Sequence, residues 1–156
     1  MPKSYFILLL TSLLCSLSRA DVNIVTTIKP LQMIAEAVVQ EYGSVSSIVD
    51  PQQSPHHFNV SPSDRVNLAR ADIAVWIGPL FETHISDFFE QAGFKAKTIT
   101  VIDTLGLQLH SVGDGQIDAH LWLNSSNAVR IAKAIAERAA EMDPVNEASY
   151  HQNLRK

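Results

Sequence analysis

Short apolar segments alternate with longer amphipathic ones through most of this chain, and that alternation is its strongest constraint on fold. The apolar segments have the length of buried strands, and the amphipathic ones repeat at helical spacing. Strands that alternate with helices form a parallel sheet flanked by helices. The sequence therefore predicts an α/β fold built from repeated βα units. The predicted strands are residues 22–27, 45–49, 72–77, 98–102 and 121–123.

Residues at the ends of these segments indicate where helices begin and end. Ser61 is suited to cap a helix whose first position is Pro62, and Asp64 suits the same first turn. Gly43 is predicted to end the first helix. Residues 105–118 contain three glycines without a sustained period, which predicts an exposed loop. The predicted helices are residues 31–42, a helix from residue 62, and residues 80–92, 125–142 and 144–156.

The first twenty residues have the pattern of a cleavable signal peptide. Lys3 precedes an apolar run over residues 5–14, and Ser18 and Ala20 form a small-x-small cleavage pattern. We expect cleavage after Ala20 and export to the periplasm. Cleavage would remove the only cysteine of the chain, so the mature protein would have no thiolate ligand and no disulfide.

The charge balance argues against nucleic acid as a partner. The formal net charge is −4 at pH 7. The predicted signal peptide holds two basic residues and no acidic ones, so the mature chain would carry −6. Nucleic acids select basic surfaces, and no basic cluster stands out here.

Histidines lie where predicted strands pass into loops. His56 and His57 occupy the loop at residues 52–60, and His120 precedes residues 121–123. Imidazole is a common metal ligand, and ligands bind at the carboxyl ends of parallel strands. His56 and His120 are therefore candidates for one metal site. The residues alone also allow a solvated His56 and a buried, hydrogen-bonded His120, and in an extended backbone His57 would point away from His56.

Motifs of common enzyme classes are absent from the sequence. It contains no His-Glu-x-x-His segment, no Gly-x-Ser-x-Gly elbow and no glycine-rich phosphate loop. We therefore predict that the protein is not an enzyme. An exported zinc hydrolase is the least favoured alternative, because no general base is placed for it.

Several spaced motifs together resemble a known family. They are residues 53–58 (Gln-Ser-Pro-His-His-Phe), residues 62–64 (Pro-Ser-Asp), residues 71–79 and residues 120–124 (His-Leu-Trp-Leu-Asn). In this order they resemble the substrate-binding proteins of zinc and manganese ABC importers, and the zinc-binding, ZnuA-like branch is the most similar. The likeness extends over essentially all of the mature chain.

The resemblance implies a fold of two lobes joined by a long helix, with the metal held between them. It implies that His56 and His120 are metal ligands, with His57 as the less favoured alternative to His56. It divides the chain into a signal peptide (1–20), an N-terminal metal-binding lobe (21–143) and the start of the linking helix (144–156). The third histidine and the carboxylate that relatives use belong to a C-terminal lobe, which this sequence does not contain.

The implied role is capture of a divalent metal ion outside the cytoplasm and delivery to an ABC permease in the inner membrane. Two imidazoles favour Zn²⁺. Zinc-type relatives often carry a histidine- and aspartate-rich loop before the second ligand, whereas residues 105–118 offer few such side chains, which leaves Mn²⁺ or Fe²⁺ open. A second hypothesis is a fragment that binds metal weakly and has no transport role.

Overall fold

Four parallel strands form the central sheet of the computed structural model, which describes residues 21–50 and 52–155. The strands are β1 (Val22–Thr26), β2 (Gly43–Ser47), β3 (Ile73–Trp76) and β4 (Thr98–Thr100). Their spatial order is β2-β1-β3-β4, so the two inner strands each have neighbours on both sides. Ile24 of β1 pairs with Val45 of β2 and with Ile73 of β3. This arrangement confirms the predicted parallel sheet.

The inner strand β3 is buried along its whole length, as expected for a strand covered on both faces. Trp76 ends this strand, and its ring stacks on Phe89 with the ring centroids 4.6 Å apart. The Trp76 indole N–H donates to the Thr100 hydroxyl at 2.9 Å, which satisfies the one polar atom of the buried side chain. These contacts anchor the carboxyl end of β3, where the chain leaves the sheet.

Helices connect and flank the strands. They are α1 (Lys29–Val39), α2 (Pro62–Arg70), α3 (Ser86–Phe89), α4 (Ala92–Lys95), α5 (Ser125–Met142) and α6 (Glu147–Asn153). Helix α1 packs on β1 and β2 and also contacts α5 and α6, while α2 contacts β1. None of the helices within residues 21–50 and 52–155 combines the length and apolar character needed to cross a membrane.

The start of α2 follows the sequence prediction closely. Ser61 Oγ accepts from the Asp64 amide at 3.2 Å, and Asp64 Oδ2 accepts from the Ser61 amide at 2.8 Å. These reciprocal bonds form a capping box, with Pro62 at the first helical position. The capping box fixes the point where the histidine-bearing loop enters the helix.

The prediction of one helix over residues 80–92 is wrong. The structure has a turn through Gly78, a 3₁₀ helix (Thr83–Ile85) and the two short helices α3 and α4 instead. The Glu82 carboxylate accepts from the amides of Ile77 and Gly78, which folds residues 77–82 back on themselves. A helix starting at residue 80 is incompatible with that turn.

One smaller prediction holds in part and another is wrong. The first helical stretch does stop at Gly43, because α1 is followed by a 3₁₀ helix (Gln40–Tyr42) whose C-cap is Gly43. Gly43 is extended and begins β2, and a Cβ there would lie 2.7 Å from the Val22 carbonyl oxygen, so close strand approach requires glycine. Residues 121–123 form a 3₁₀ helix (Leu121–Leu123) and not a strand, because the Asn124 side chain accepts from the first amides of α5 and starts that helix immediately.

The stretch at residues 105–118 is exposed, as predicted, but it contains a short hairpin. Its two strands, β5 (Ser111–Val112) and β6 (Gln116–Ile117), pair antiparallel. The connection uses positive φ angles at Gly113, Asp114 and Gly115, which glycine and aspartate tolerate best.

The C-terminal segment packs on the sheet-bearing part of the chain. It begins as a 3₁₀ helix (Pro144–Asn146) and continues as α6. The Tyr150 hydroxyl is buried and donates to Asp143 Oδ2 at 2.7 Å, and the Asn153 amide donates to the Val38 carbonyl at 2.9 Å. The division at residue 143 stays a prediction, and the predicted signal peptide lies outside the described residues.

Candidate metal centre

Three connecting segments meet beyond the carboxyl ends of the strands. The loop after β2 carries His56, the turn after β3 carries Phe81, and the segment after β6 carries His120. Loops at this edge of a parallel sheet are the usual place for a ligand site. We call His56, Phe81, His120 and Trp122 the histidine group, because their rings contact one another.

The two imidazoles of the histidine group share one aromatic support. The Phe81 ring is 3% exposed and lies 4.5 Å from the His56 ring and 5.4 Å from the His120 ring, measured between centroids. The two imidazole centroids are 6.0 Å apart. Two imidazoles bound to one tetrahedral Zn²⁺ place their ring centres roughly 5 Å apart. The observed separation of the ring centroids is therefore within about 1 Å of that arrangement.

His120 is oriented by an acidic neighbour. Its Nδ1 atom lies 2.7 Å from Asp118 Oδ1, and its backbone amide donates to the same oxygen at 3.0 Å. The side chain is 45% exposed, so the structure contradicts the interpretation of His120 as a buried core histidine. With Nδ1 bound to the carboxylate, Nε2 is the ring nitrogen left for a ligand. Metal-binding histidines commonly have such a carboxylate partner.

The same contact acts on the carboxylate. Hydrogen bonds from the backbone and then the side chain of His120 hold the pKa of Asp118 below its usual value, and the nearby positive charges that His120 and His110 can carry add to this. Asp118 is therefore charged at neutral pH, the state in which it accepts from Nδ1 and increases the basicity of His120 as a ligand.

Removing this carboxylate is expected to weaken metal binding. Asp118→Ala should lower the affinity for a divalent metal ion about 10- to 100-fold, because the imidazole loses the partner that fixes its orientation. Competition with a chromophoric chelator measures the change. Asp103→Ala, which removes an exposed aspartate outside the histidine group, is the matched control. Equal affinities of Asp118→Ala and Asp103→Ala would show that Asp118 does not support the site.

The loop that carries His56 is fixed at both ends. Phe58 is 4% exposed and anchors the loop in the core, while the His57 amide donates to the Ser54 carbonyl at 3.2 Å in a local turn. His56 and His57 are both exposed, but only His56 has ring contacts with Phe81 and His120. The structure thus brings His56 next to His120 and leaves His57 outside the histidine group.

Among the described residues, the other histidines have no ring contact with His56 or His120. His110 Nε2 lies 3.5 Å from the Asn124 side-chain amide, at a surface cavity of about 300 Å³ that His120 also borders. His84 is exposed and packs edge-on against Phe58 at 4.9 Å. No three histidine, cysteine, aspartate or glutamate side chains converge on one ion position within the described part of the chain.

Glu82 is a functional candidate that sequence reasoning missed. It is fully buried, and it is the only acidic or basic residue among the buried residues that the structure describes. Its Oε2 atom accepts from Ile77 N at 2.9 Å and from Gly78 N at 3.1 Å. Its Oε1 atom and the Thr27 hydroxyl are also buried, and neither has a partner at hydrogen-bond distance and angle. Burial raises the pKa of Glu82 to about 7, against the lowering effect of Thr27 and the two amides.

Comparison with known proteins decides the family. The model of the family described as "Zinc-uptake complex component A periplasmic" matches residues 24–156. The chain belongs to this family.

Among curated relatives of this family member, the high-affinity zinc uptake system protein ZnuA of Brucella abortus is 27% identical over 90% of this chain and 55% of that protein. The manganese ABC transporter substrate-binding lipoprotein scaA of Streptococcus gordonii is 28% identical over 88% of this chain and 47% of that protein. The crystal structure of the metal-dependent lipoprotein YcdH from Bacillus subtilis has the same fold, with a TM-score of 0.74 at 24% identity, covering 86% of this chain and 49% of that one. The chain spans about half the length of the curated relatives it matches.

Proposed function

We propose that this chain belongs to the substrate-binding component of an ABC importer and that it captures Zn²⁺ outside the cytoplasm through His56 and His120. The contact that carries this proposal is the pair of exposed imidazoles packed on Phe81, with ring centroids 6.0 Å apart. Membership of a family described as a periplasmic zinc-uptake component supports it.

The chemistry of the pair favours zinc over harder ions. Neutral imidazole nitrogen suits Zn²⁺, whereas Mn²⁺ takes more carboxylate and carbonyl oxygen. The carboxylate nearest the pair, Asp118, is engaged by His120 Nδ1 and the His120 amide, so it acts as a support for the ligand. Manganese remains the alternative cargo, because a relative of similar identity is named for it.

Two imidazoles do not complete a tetrahedral zinc site. We propose that the remaining ligands come from a second lobe and that the ion is held between the lobes. Separation of two lobes would open such a site and release the ion to a membrane permease. In this proposal the protein binds and delivers the metal, and it performs no reaction on it.

Metal titration of the protein that includes the proposed second lobe tests the proposal. We expect one saturable zinc site per chain in isothermal titration calorimetry, with Zn²⁺ displacing Mn²⁺ and Fe²⁺ in anaerobic competition. This order reflects the two nitrogen ligands. Absence of saturable zinc binding would contradict the site, and manganese binding at least as strong as zinc binding would contradict the choice of metal.

A further inference from the structure

The carboxylate of Glu82 closes the turn that follows β3. Its Oε2 atom accepts from two successive backbone amides, those of Ile77 and Gly78, at 2.9 and 3.1 Å. These bonds cross from the end of the turn back to its beginning. The side chain is completely excluded from solvent, so the bonds form in a low-dielectric environment, where they are strong.

The same turn sets the position of Phe81. The amides of Phe81 and Glu82 both donate to the Gly78 carbonyl at 3.0 Å. Gly78 has a φ of +129°, and a Cβ at this position would lie 2.8 Å from Ile102 Cγ2. The backbone of residues 77–82 is therefore held from both sides, and Phe81 has little freedom to move independently of Glu82.

Phe81 in turn contacts three rings of the histidine group. Its centroid lies 4.5 Å from His56, 5.4 Å from His120 and 5.2 Å from Trp122. A displacement of Phe81 would remove the surface on which both imidazoles rest. Metal affinity depends on how well the ligands are held before the ion arrives.

We propose that Glu82 is a positioning residue for the metal site, which acts by holding Phe81 beneath His56 and His120. This inference rests on the proposed function, because it concerns the same ion. A carboxylate is a costly way to close a buried turn, since burial disfavours its charged form. One side-chain oxygen accepts from both amides and so holds the turn closed, and a fixed turn is what a preformed ligand pair requires.

Zinc affinity of variants at residue 82, in the protein that includes the proposed second lobe, tests this inference. We expect Glu82→Ala to lower zinc affinity about tenfold, the lower end of the range for residues that support ligands. Glu82→Gln keeps an oxygen acceptor for both amides and should stay within about threefold of wild type. Glu82→Met removes the acceptor but preserves side-chain volume, and the same tenfold loss is expected, so it replaces the alanine variant if that variant does not fold.

A double-mutant cycle separates positioning from general destabilisation. If Glu82 acts through Phe81, then Glu82→Ala should lower affinity much less in a Phe81→Leu background than in wild type. Asn146→Ala removes another buried polar side chain, outside the histidine group, and should lower stability without changing zinc affinity. Circular dichroism confirms that each variant compared is folded.

The outcomes distinguish this inference from the proposed function. Loss of zinc binding in wild type itself would overturn the proposed function. Zinc binding in wild type that is unchanged in the folded Glu82→Ala or Glu82→Met variant would overturn the positioning role alone. Fully additive effects of Glu82→Ala and Phe81→Leu would also overturn it.

Discussion

Replacing His56 or His120 with alanine is expected to lower zinc affinity by more than about 100-fold, and replacing both should abolish saturable binding. Loss of a residue that merely supports a ligand costs about 10- to 100-fold, so loss of a ligand itself should exceed that range. Within the described residues, these two are the only imidazoles whose rings contact Phe81. Isothermal titration calorimetry with chelator competition measures the loss.

Two further histidine variants make the assignment specific. His84→Ala is the matched control, because this exposed imidazole packs on Phe58 outside the histidine group, and its zinc affinity should equal that of wild type. His57→Ala tests the alternative ligand and should change affinity little. A large loss in His57→Ala together with normal binding in His56→Ala would transfer the ligand role to His57.

The parts of the fold that were predictable carry their signals locally. The capping box of Ser61 and Asp64 is formed by residues three apart, and α5 has the predicted bounds because its cap, apolar stripe and following proline are adjacent in sequence. The parallel sheet follows from the alternation of segments alone. None of these inferences needs to know which distant residues come together.

The errors arise where a distant contact overrides the local pattern. Residues 80–92 have helical periodicity, but the bonds from Glu82 to Ile77 and Gly78 form a turn instead. Gly43 ends the first helical stretch as predicted, but the close approach of Val22 on the neighbouring strand also requires glycine there. Such contacts depend on the assembled sheet, which no short window of sequence shows.

The candidate site was partly predictable for the same reason. Residue type and position at the end of a predicted strand are enough to nominate His56 and His120, and Asp118 stands only two residues from the latter. Phe81 and Glu82 belong to a third segment, and nothing in their own sequence indicates that one supports both imidazoles and the other is buried. The supporting residues of a site are harder to predict than its ligands because their roles depend on tertiary contacts.

Burial of the Glu82 carboxyl has a consequence for stability that can be predicted with its sign. Its pKa rises from 4.5 to about 7 on folding, so the folded state binds a proton more tightly than the unfolded chain. The stabilisation from this proton is fully present below pH 4.5 and is lost as pH rises through 7. Since one pKa unit corresponds to about 1.4 kcal/mol, the loss amounts to about 3 kcal/mol.

Glu82→Gln should therefore be more stable than wild type by about 3 kcal/mol at pH 8 and about equal to it at pH 4.5. The neutral amide avoids the desolvation of a charge, and its oxygen can accept from Ile77 and Gly78 as the carboxylate does. Urea denaturation of both proteins from pH 4.5 to 8 measures the difference, with Glu41→Gln as the control for removing a surface carboxylate. A difference that does not grow with pH would contradict a buried carboxyl with a raised pKa. A gain in stability at pH 8 would show that the charged form of this carboxyl destabilises the fold.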